Sequence, residues 1–486
     1  MKKVFIFTAA IVFSFYGFAG GLVTNTNQSA RFLRNPARNA STEIDAIFSN
    51  PAGLSFMKED GFYLSLNNQM AFQTRTITAT FEPFIFNGGN DTKEYKGTAR
   101  AFFIPSIQAA YKWKNWVFSA SFAIVGGGGS LKYEDGLPLF EAMLYGQLVE
   151  SFTEPLTKLN FAALQSGYIG DLADINGYSL NMKLNGSSIT YGTQIGVNYK
   201  VKDMVSFFAG ARACFVRNGY DGYINNVNVS IANADAMVTH FTTIADFLES
   251  VGQLEQAAAL RGAAQGFSQL EAGAAATDIK LDAKQAGWGV TPILGVDFNY
   301  KNLNIGVKYE FNTKITIANK TKENTSGIDD FDDKVKTRSD IPALFGAGVS
   351  YKFLKEKLIA SAGFHLFLDK FAKMPGNKQH NLKGNSYEFM LGLEYVINDK
   401  FLVSTGAQLT RLGLSDNFQS NMSFYCNSFS IGVGGAYTII KNLKLNVAYL
   451  YTNFDKYTND RPAYLGGKEV DTRTSHAIGI GLDYKF

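Results

Sequence analysis

Ser475-His476-Ala477-Ile478-Gly479-Ile480-Gly481-Leu482-Asp483-Tyr484-Lys485-Phe486 decides how the rest of the chain is read. Counted back from Phe486, Tyr484, Leu482, Ile480 and Ile478 fall on one face. Lys485, Asp483, Gly481, Gly479 and Ala477 fall on the other. That is the period of a β-strand, apolar and aromatic on one side and small or charged on the other. The same alternation recurs upstream. Leu303, Ile305, Val307, Tyr309 and Phe311 oppose Asn304, Gly306, Lys308 and Glu310. Phe389, Leu391, Leu393 and Tyr395 oppose Glu388, Gly392 and Glu394. Leu443, Leu445, Val447, Tyr449 and Tyr451 oppose Lys444 and Asn446.

Alternation alone does not separate a sandwich core from a lipid-facing wall. The connections do. Every second link is tiny: KWKNW (112–116), YKVKDM (199–204), NYKNLN (299–304), FLKEKL (353–358), VINDKF (396–401) and IIKNLKL (439–445). The links between them are long and polar. Short turns on one side and long loops on the other are the pattern of an outer-membrane barrel. Tyr111, Trp113, Trp116, Tyr199, Tyr300, Tyr351, Tyr395, Phe401 and Tyr437 cluster beside the short turns. Amphipathic rings sit there at the headgroups. Strands are expected near 60–80, 98–112, 115–132, 187–200, 204–220, 287–301, 303–318, 338–352, 357–369, 385–397, 401–413, 421–438, 443–456 and 472–486. Fourteen is even, as a single-chain bacterial barrel requires.

Composition agrees. The 486 residues include 47 Gly, 41 Phe and 24 Tyr but only 10 Pro, and mean hydropathy is near neutral. No segment after the N-terminus reaches the roughly 18 apolar residues of a transmembrane helix. A closed barrel crosses a bilayer without one, because closure satisfies every backbone group. A net charge of +4 without a basic cluster gives no case for nucleic acid. Cys214 and Cys426 are too few for a disulfide framework and are read as isolated inward thiols. His240, His365, His380 and His476 lie in no nucleophile motif, so an enzyme is not expected. No His/Cys cluster or phosphate loop calls for a metal or other cofactor. Gly126–Gly129 lacks the Lys-Ser/Thr that would follow in a phosphate loop.

The N-terminus reads as a signal peptide over 1–19. Lys2 and Lys3 precede an apolar run that ends in Gly17-Phe18-Ala19. Residues 20–57 do not alternate. They mix Phe32, Leu33, Ile44, Ile47 and Phe48 with turn formers, which suits a plug folded into the lumen better than a free tail. The barrel is then 58–486, with extracellular insertions at about 136–186 and 225–287. In the second insertion Met237, Phe241, Ile244, Leu248 and Val251 recur at helical spacing. These insertions read either as a lid packed on itself or as an apolar groove that catches ligand.

Asp45-Ala46-Ile47-Phe48-Ser49-Asn50-Pro51-Ala52-Gly53-Leu54, just before the first strand, resembles the FadL-type family of outer-membrane long-chain fatty acid transporters. The resemblance implies an all-β fold: a fourteen-stranded antiparallel transmembrane barrel with an N-terminal hatch ending in Asn-Pro-Ala and helical extracellular insertions. It implies passive uptake of hydrophobic molecules, long-chain fatty acids or aromatic hydrocarbons, by a monomer set among outer-membrane lipid and lipopolysaccharide. Ile44, Ile47, Phe48, Asn50, Pro51 and Ala52 become candidate ligand and hatch residues. In the family an inward kink in the third strand opens the wall sideways, and Gly126, Gly127, Gly128 and Gly129 fall in the upper part of that strand here. The chain departs from the family's pattern in the opening of its hatch and in its long loops, which follow strands three and five, and the motif occurs twice. The hatch carries Arg31, Arg34 and Arg38 where a glycine-rich stretch is common, and it holds a second Asn-Pro-Ala, Asn35-Pro36-Ala37. A shuttle component of type IX secretion would share this architecture, and a general porin would lack the plug.

Overall fold

The computed structural model describes residues 29–275, 278–419, 424–460 and 466–486. The expected signal peptide, and the expected hatch before Ser29, lie outside them. One antiparallel sheet closes on itself, because β1 (Gly61–Thr80) pairs with both β2 (Thr92–Trp113) and β14 (Lys468–Lys485). Between them run β3 (Trp116–Tyr133), β4 (Asp174–Val201), β5 (Val205–Ala232), β6 (Ile279–Tyr300) and β7 (Leu303–Glu310). Next come β8 (Leu344–Phe353), β9 (Leu358–Phe367), β10 (Ser386–Val396), β11 (Phe401–Arg411), β12 (Ser428–Ile440) and β13 (Leu443–Phe454). Short segments Thr316–Asn324, Lys336–Arg338 and Tyr457–Asn459 continue β7, β8 and β13 beyond interruptions. The barrel is therefore fourteen-stranded, as the alternation requires.

The wall faces two solvents. Outward side chains such as Ile480, Leu482, Leu391, Leu393, Val307 and Val447 stay exposed around the barrel, where lipid covers them. Tyr111, Trp113, Trp116, Tyr199, Tyr300, Tyr351, Tyr395 and Phe401 are exposed beside the short turns, which forms the lower girdle. Inward positions are polar or tiny. Ser65, Asn67, Gln108, Asn198, Ser206, Asp297 and Glu394 are all buried.

Two strands run longer than the sequence shows. Asp174–Gly186 and Tyr220–Ala232 pair with two register shifts, at Ile175/Gly177 and Ser179/Asn181, extending β4 and β5 far above the level expected from alternation. That hairpin clears the membrane, so neither of its faces meets lipid and its Asn, Gly and Ser residues read as loop. The insertions expected at 136–186 and 225–287 are correspondingly narrower. The first holds helix α3 (Pro138–Gln165). The second holds α4 (Ala234–Ser250) and α5 (Leu254–Ala275). Met237 and Phe241 of α4 are fully buried against Leu148 and Phe152 of α3 and Phe267 of α5, on top of the β4–β5 extension. Glu141 pins α3 to the barrel. Its carboxylate accepts hydrogen bonds from Asn87 (2.7 Å), Lys93 (2.6 Å) and Tyr178 (3.0 Å).

Candidate functional site

The lumen is filled at its lower end by residues 29–57. They form two short helical turns, α1 (Ala30–Arg34) and α2 (Ala46–Ser49), and a 3-10 turn at Pro51–Phe56. A segment this small has no core of its own and borrows the barrel wall. The wall makes room with glycine. A Cβ on Gly432 would sit 2.1 Å from the Leu33 carbonyl oxygen, and one on Gly348 would sit 2.6 Å from Asn39 Cβ. Gly306, Gly348 and Gly363 form one row of cross-strand partners, and Gly392, Gly406 and Gly432 form another. The small face of the alternating strands is thus the seat of the hatch.

Both Asn-Pro-Ala motifs lock into that seat. Asn50 lies over Gly306 of β7, and its amide nitrogen donates to Asp297 of β6 and to the Ser41 carbonyl (3.2 Å). The carbonyls of Pro51 and Ala52 accept hydrogen bonds from Asn198 and Ser206. The second copy does the same on the far wall: Asn35 lies over Gly392 of β10 and Pro36 over Gly406 of β11. Valine at position 432 would push on hatch backbone, which cannot swing aside as a side-chain tip can. Overpacking of this kind costs about 1–3 kcal/mol. Gly432→Val is expected to expose residues 29–57 to protease in purified protein, while the barrel still shows its heat-dependent shift on a gel.

Charge secures one side of the hatch. Arg31 reaches Asp483 of β14 (2.7 Å). Arg38 is gripped by Asp45 (2.7 Å) and Glu394 of β10 (2.7 Å), and Arg34 by Asn446 (2.8 Å) and Glu394 (3.4 Å). All three arginines are buried. Burial alone would push the Asp45 carboxyl up, but the Arg38 guanidinium and its hydrogen bonds hold it below the usual carboxylate range. Hatch carbonyls secure the other side. Gln194 donates to Ile47 (2.7 Å), Lys308 to Phe48 (2.7 Å) and Asn304 to Ala40 (3.1 Å).

The expected ligand contacts separate here. Ile44 and Ile47 turn into the wall and pack with Leu54, Met57, Ala110 and Val117. Phe48 faces the interior. Its ring lies 4.6 Å from the Arg212 guanidinium and 5.2 Å from Lys308 Nζ, two cations that share Glu310. Above it is an apolar collar of Ala123, Val125, Cys214, Val216, Ile315 and Ile317. Ile315 enters the collar because β7 breaks off after Glu310 and folds inward over Gly289, where a Cβ would meet the Lys314 carbonyl oxygen at 2.6 Å. Cys214 and Cys426 are free and buried. Among the described residues no His, Cys, Asp and Glu group could hold a metal.

The collar adjoins an irregular part of the wall. β2 and β3 pair from Trp113↔Trp116 up to Ser106↔Ala123, then again from Ala99↔Leu131. Between these rungs, 100–105 and 124–130 have no ladder partners on each other. Gly126–Gly129 lie in that interval, Gly127 and Gly129 with φ of 96° and 73°. The β3–β4 register also shifts there. On the other flank Asn68 of β1 takes over the ladder's role: its side chain accepts from Ile104 N–H (3.0 Å) and donates to the Phe102 carbonyl (3.2 Å). Phe102 and Phe103 point outward, 63% and 73% exposed. The sequence signal for this site was GGGG; Asn68 and Pro105 carried none.

Outside, α3 and the strand extensions flank a narrow open groove. Phe140, Met143, Leu144, Tyr223, Ile279 and Phe331 line it.

The sequence profile of the outer membrane protein beta-barrel domain matches residues 250–486. No curated protein sequence matches significantly. Solved structures do. A Pseudomonas aeruginosa FadL homologue superposes with a TM-score of 0.59 at 12% identity, over 96% of this chain and 100% of that one. The Pseudomonas putida toluene transporter TodX superposes with a TM-score of 0.55 at 13% identity, over 97% and 100%.

Proposed function

We propose that this chain, a barrel of the FadL type in the Gram-negative outer membrane, takes up small hydrophobic molecules by passive movement from the extracellular groove to the collar and out through the β2–β3 gap. The unpaired interval carries the proposal. Between β2 and β3 the ladder is missing over 100–105 and 124–130, the stretch that holds the four glycines, and this gap adjoins an apolar collar above Phe48. Apolar surface resists hydration by roughly 25 cal/mol per Å², so a route from an apolar groove into the bilayer avoids a water-filled passage. The hatch closes the straight route to the periplasm. Long-chain fatty acids and aromatic hydrocarbons both suit this chemistry, and the similarity to a FadL homologue and a toluene transporter supports the class.

Expression in a Gram-negative strain lacking its own transporter tests the reading. Uptake of radiolabelled oleate or toluene is expected to rise well above the empty-vector level. A strain with the barrel in its outer membrane and uptake no faster than the vector control overturns it. Removal of the hatch through Phe48 is expected to leave a folded barrel that admits polar dyes and no longer discriminates among ligands. Retained discrimination would contradict the collar's role.

A further inference from the structure

Asp297 of β6 is fully buried against Asn50 of the hatch, and its surroundings do not suit a carboxylate. Two amides reach it, and both reach the same oxygen. Asn50 Nδ2 donates to Oδ2, and so does Asn304 Nδ2 of β7 at 2.9 Å. Neither amide is free to turn over. Asn50 Nδ2 also donates to the Ser41 carbonyl (3.2 Å) and Asn304 Nδ2 to the Ala40 carbonyl (3.1 Å), while Asn304 Oδ1 accepts from Asn299 (2.9 Å). Asp297 Oδ1 is buried without a hydrogen-bond partner among the described residues, and so is Asn50 Oδ1. The ladder neighbours of Asp297, Ser206 of β5 and Gly306 of β7, carry no charge. Among the described residues no Lys, Arg or His nitrogen lies within 4.0 Å of the carboxyl. Lys308, one inward position further up β7, is taken by Glu310 (2.8 Å) and the Phe48 carbonyl (2.7 Å), and Arg212 of β5 is taken by Glu310 as well (2.8 Å).

A buried charge without a countercharge is costly enough that the group gives the charge up. For a carboxyl that means taking a proton. The proton belongs on Oδ1, because Oδ2 already accepts from two donors, and it supplies a donor where two buried acceptors have none. We propose that Asp297 seats the hatch as a neutral acid, with Oδ1–H donating to Asn50 Oδ1 and Asn50 Nδ2 donating back to Oδ2, so that seating the first Asn-Pro-Ala motif takes up a proton. Asn35 Nδ2, in the second motif, has no partner among the described residues, so this latch belongs to the first motif alone. Opening the seat to water lets the acid ionise and release its proton. Acid therefore favours the seated hatch, and the unseated fraction rises by up to about tenfold per pH unit until the seated acid itself ionises. Asp297 acts on the hatch whichever molecule the barrel carries, so its failure as a latch leaves the uptake reading standing.

Infrared spectra and planar-bilayer recordings of the full-length barrel test this, with D297N as the comparison. D297N places an amide N–H where the acid's O–H would be, and so mimics the protonated pair at every pH. At about pH 6, where an ordinary Asp is ionised, native protein is expected to show a carboxylic C=O band that D297N lacks. The open fraction of native protein is expected to rise at least roughly tenfold from about pH 5 to about pH 8. At about pH 8 D297N is expected to be open at least roughly tenfold less than native protein, whereas D297A, which removes the pair, is expected to be open at both. His365, which meets Asn39 of the hatch at 2.9 Å, and its partner Glu388 are the same in native protein and D297N, so their response cancels in the comparison. Absence of the carboxylic band, native protein equally closed at both pH values, or a D297N barrel at least as open as native protein at about pH 8 overturns the neutral latch.

Discussion

Glu394→Ala is expected to unseat the hatch and turn a closed barrel into a leaky one. Glu394 is buried on β10 and takes two hatch arginines at once, Arg38 at 2.7 Å and Arg34 at 3.4 Å. Its removal leaves both guanidiniums in the lumen with less compensation. Breaking a buried pair by deleting one partner is destabilising by about 3–5 kcal/mol. The barrel strands are hydrogen-bonded to each other and do not depend on this contact, so the loss falls on the hatch–wall seat. That energy corresponds to a rise of roughly 10²–10⁴-fold in the unseated fraction. Cells carrying the variant should become sensitive to large polar antibiotics, and the purified protein should show long conductance events in planar bilayers. Glu394→Gln keeps the shape and two hydrogen-bonding atoms and should fall between. A variant as impermeable as the native protein would show that the remaining contacts, Arg31 to Asp483 and the wall side chains on the hatch carbonyls, hold the hatch without Glu394.

Much of this fold was legible because the membrane imposes it. Lipid outside and a hatch inside force each strand to alternate, so Leu303–Phe311 and Ser475–Phe486 announce themselves. Asp174–Gly186 did not, because above the membrane no lipid selects its outward face. The hatch was legible from Phe32, Leu33, Ile47 and Phe48, which a free tail would not keep. Which of these residues face the cavity was not. Ile47 and Phe48 are neighbours on one helical turn, and only the wall opposite decides that Ile47 packs against Val117 while Phe48 meets Arg212. The three hatch arginines looked like a departure from the family. Apart from Asp45, their partners Glu394, Asn446 and Asp483 lie hundreds of residues away and read locally as polar faces of strands. The second Asn-Pro-Ala had no visible purpose in sequence. In the barrel it repeats at Gly392 and Gly406 what the first does at Gly306.

A reversible cross-link over the β2–β3 gap is expected to stop uptake. An ideal Cβ at Gly129 lies 3.9 Å from Ala101 Cβ, inside the range of about 3.5–4.5 Å that disulfides span. Cysteine at position 129 must accept a φ of 73°, a strain of order 1 kcal/mol, which an oxidised bridge tolerates. The two native thiols are buried and unpaired, so A101C/G129C has one bridge available to it at the gap. If ligand leaves between β2 and β3, tying the two strands at this point removes the opening without touching the groove, the collar or the hatch. Uptake of labelled toluene or oleate by cells carrying A101C/G129C, measured oxidised and then after reduction with dithiothreitol, is the most direct test of lateral exit. Lateral exit predicts uptake at least roughly tenfold below native when oxidised and restored on reduction, with A101C and G129C alone unaffected. Undiminished uptake by fully oxidised protein would contradict it and send the ligand past the hatch instead.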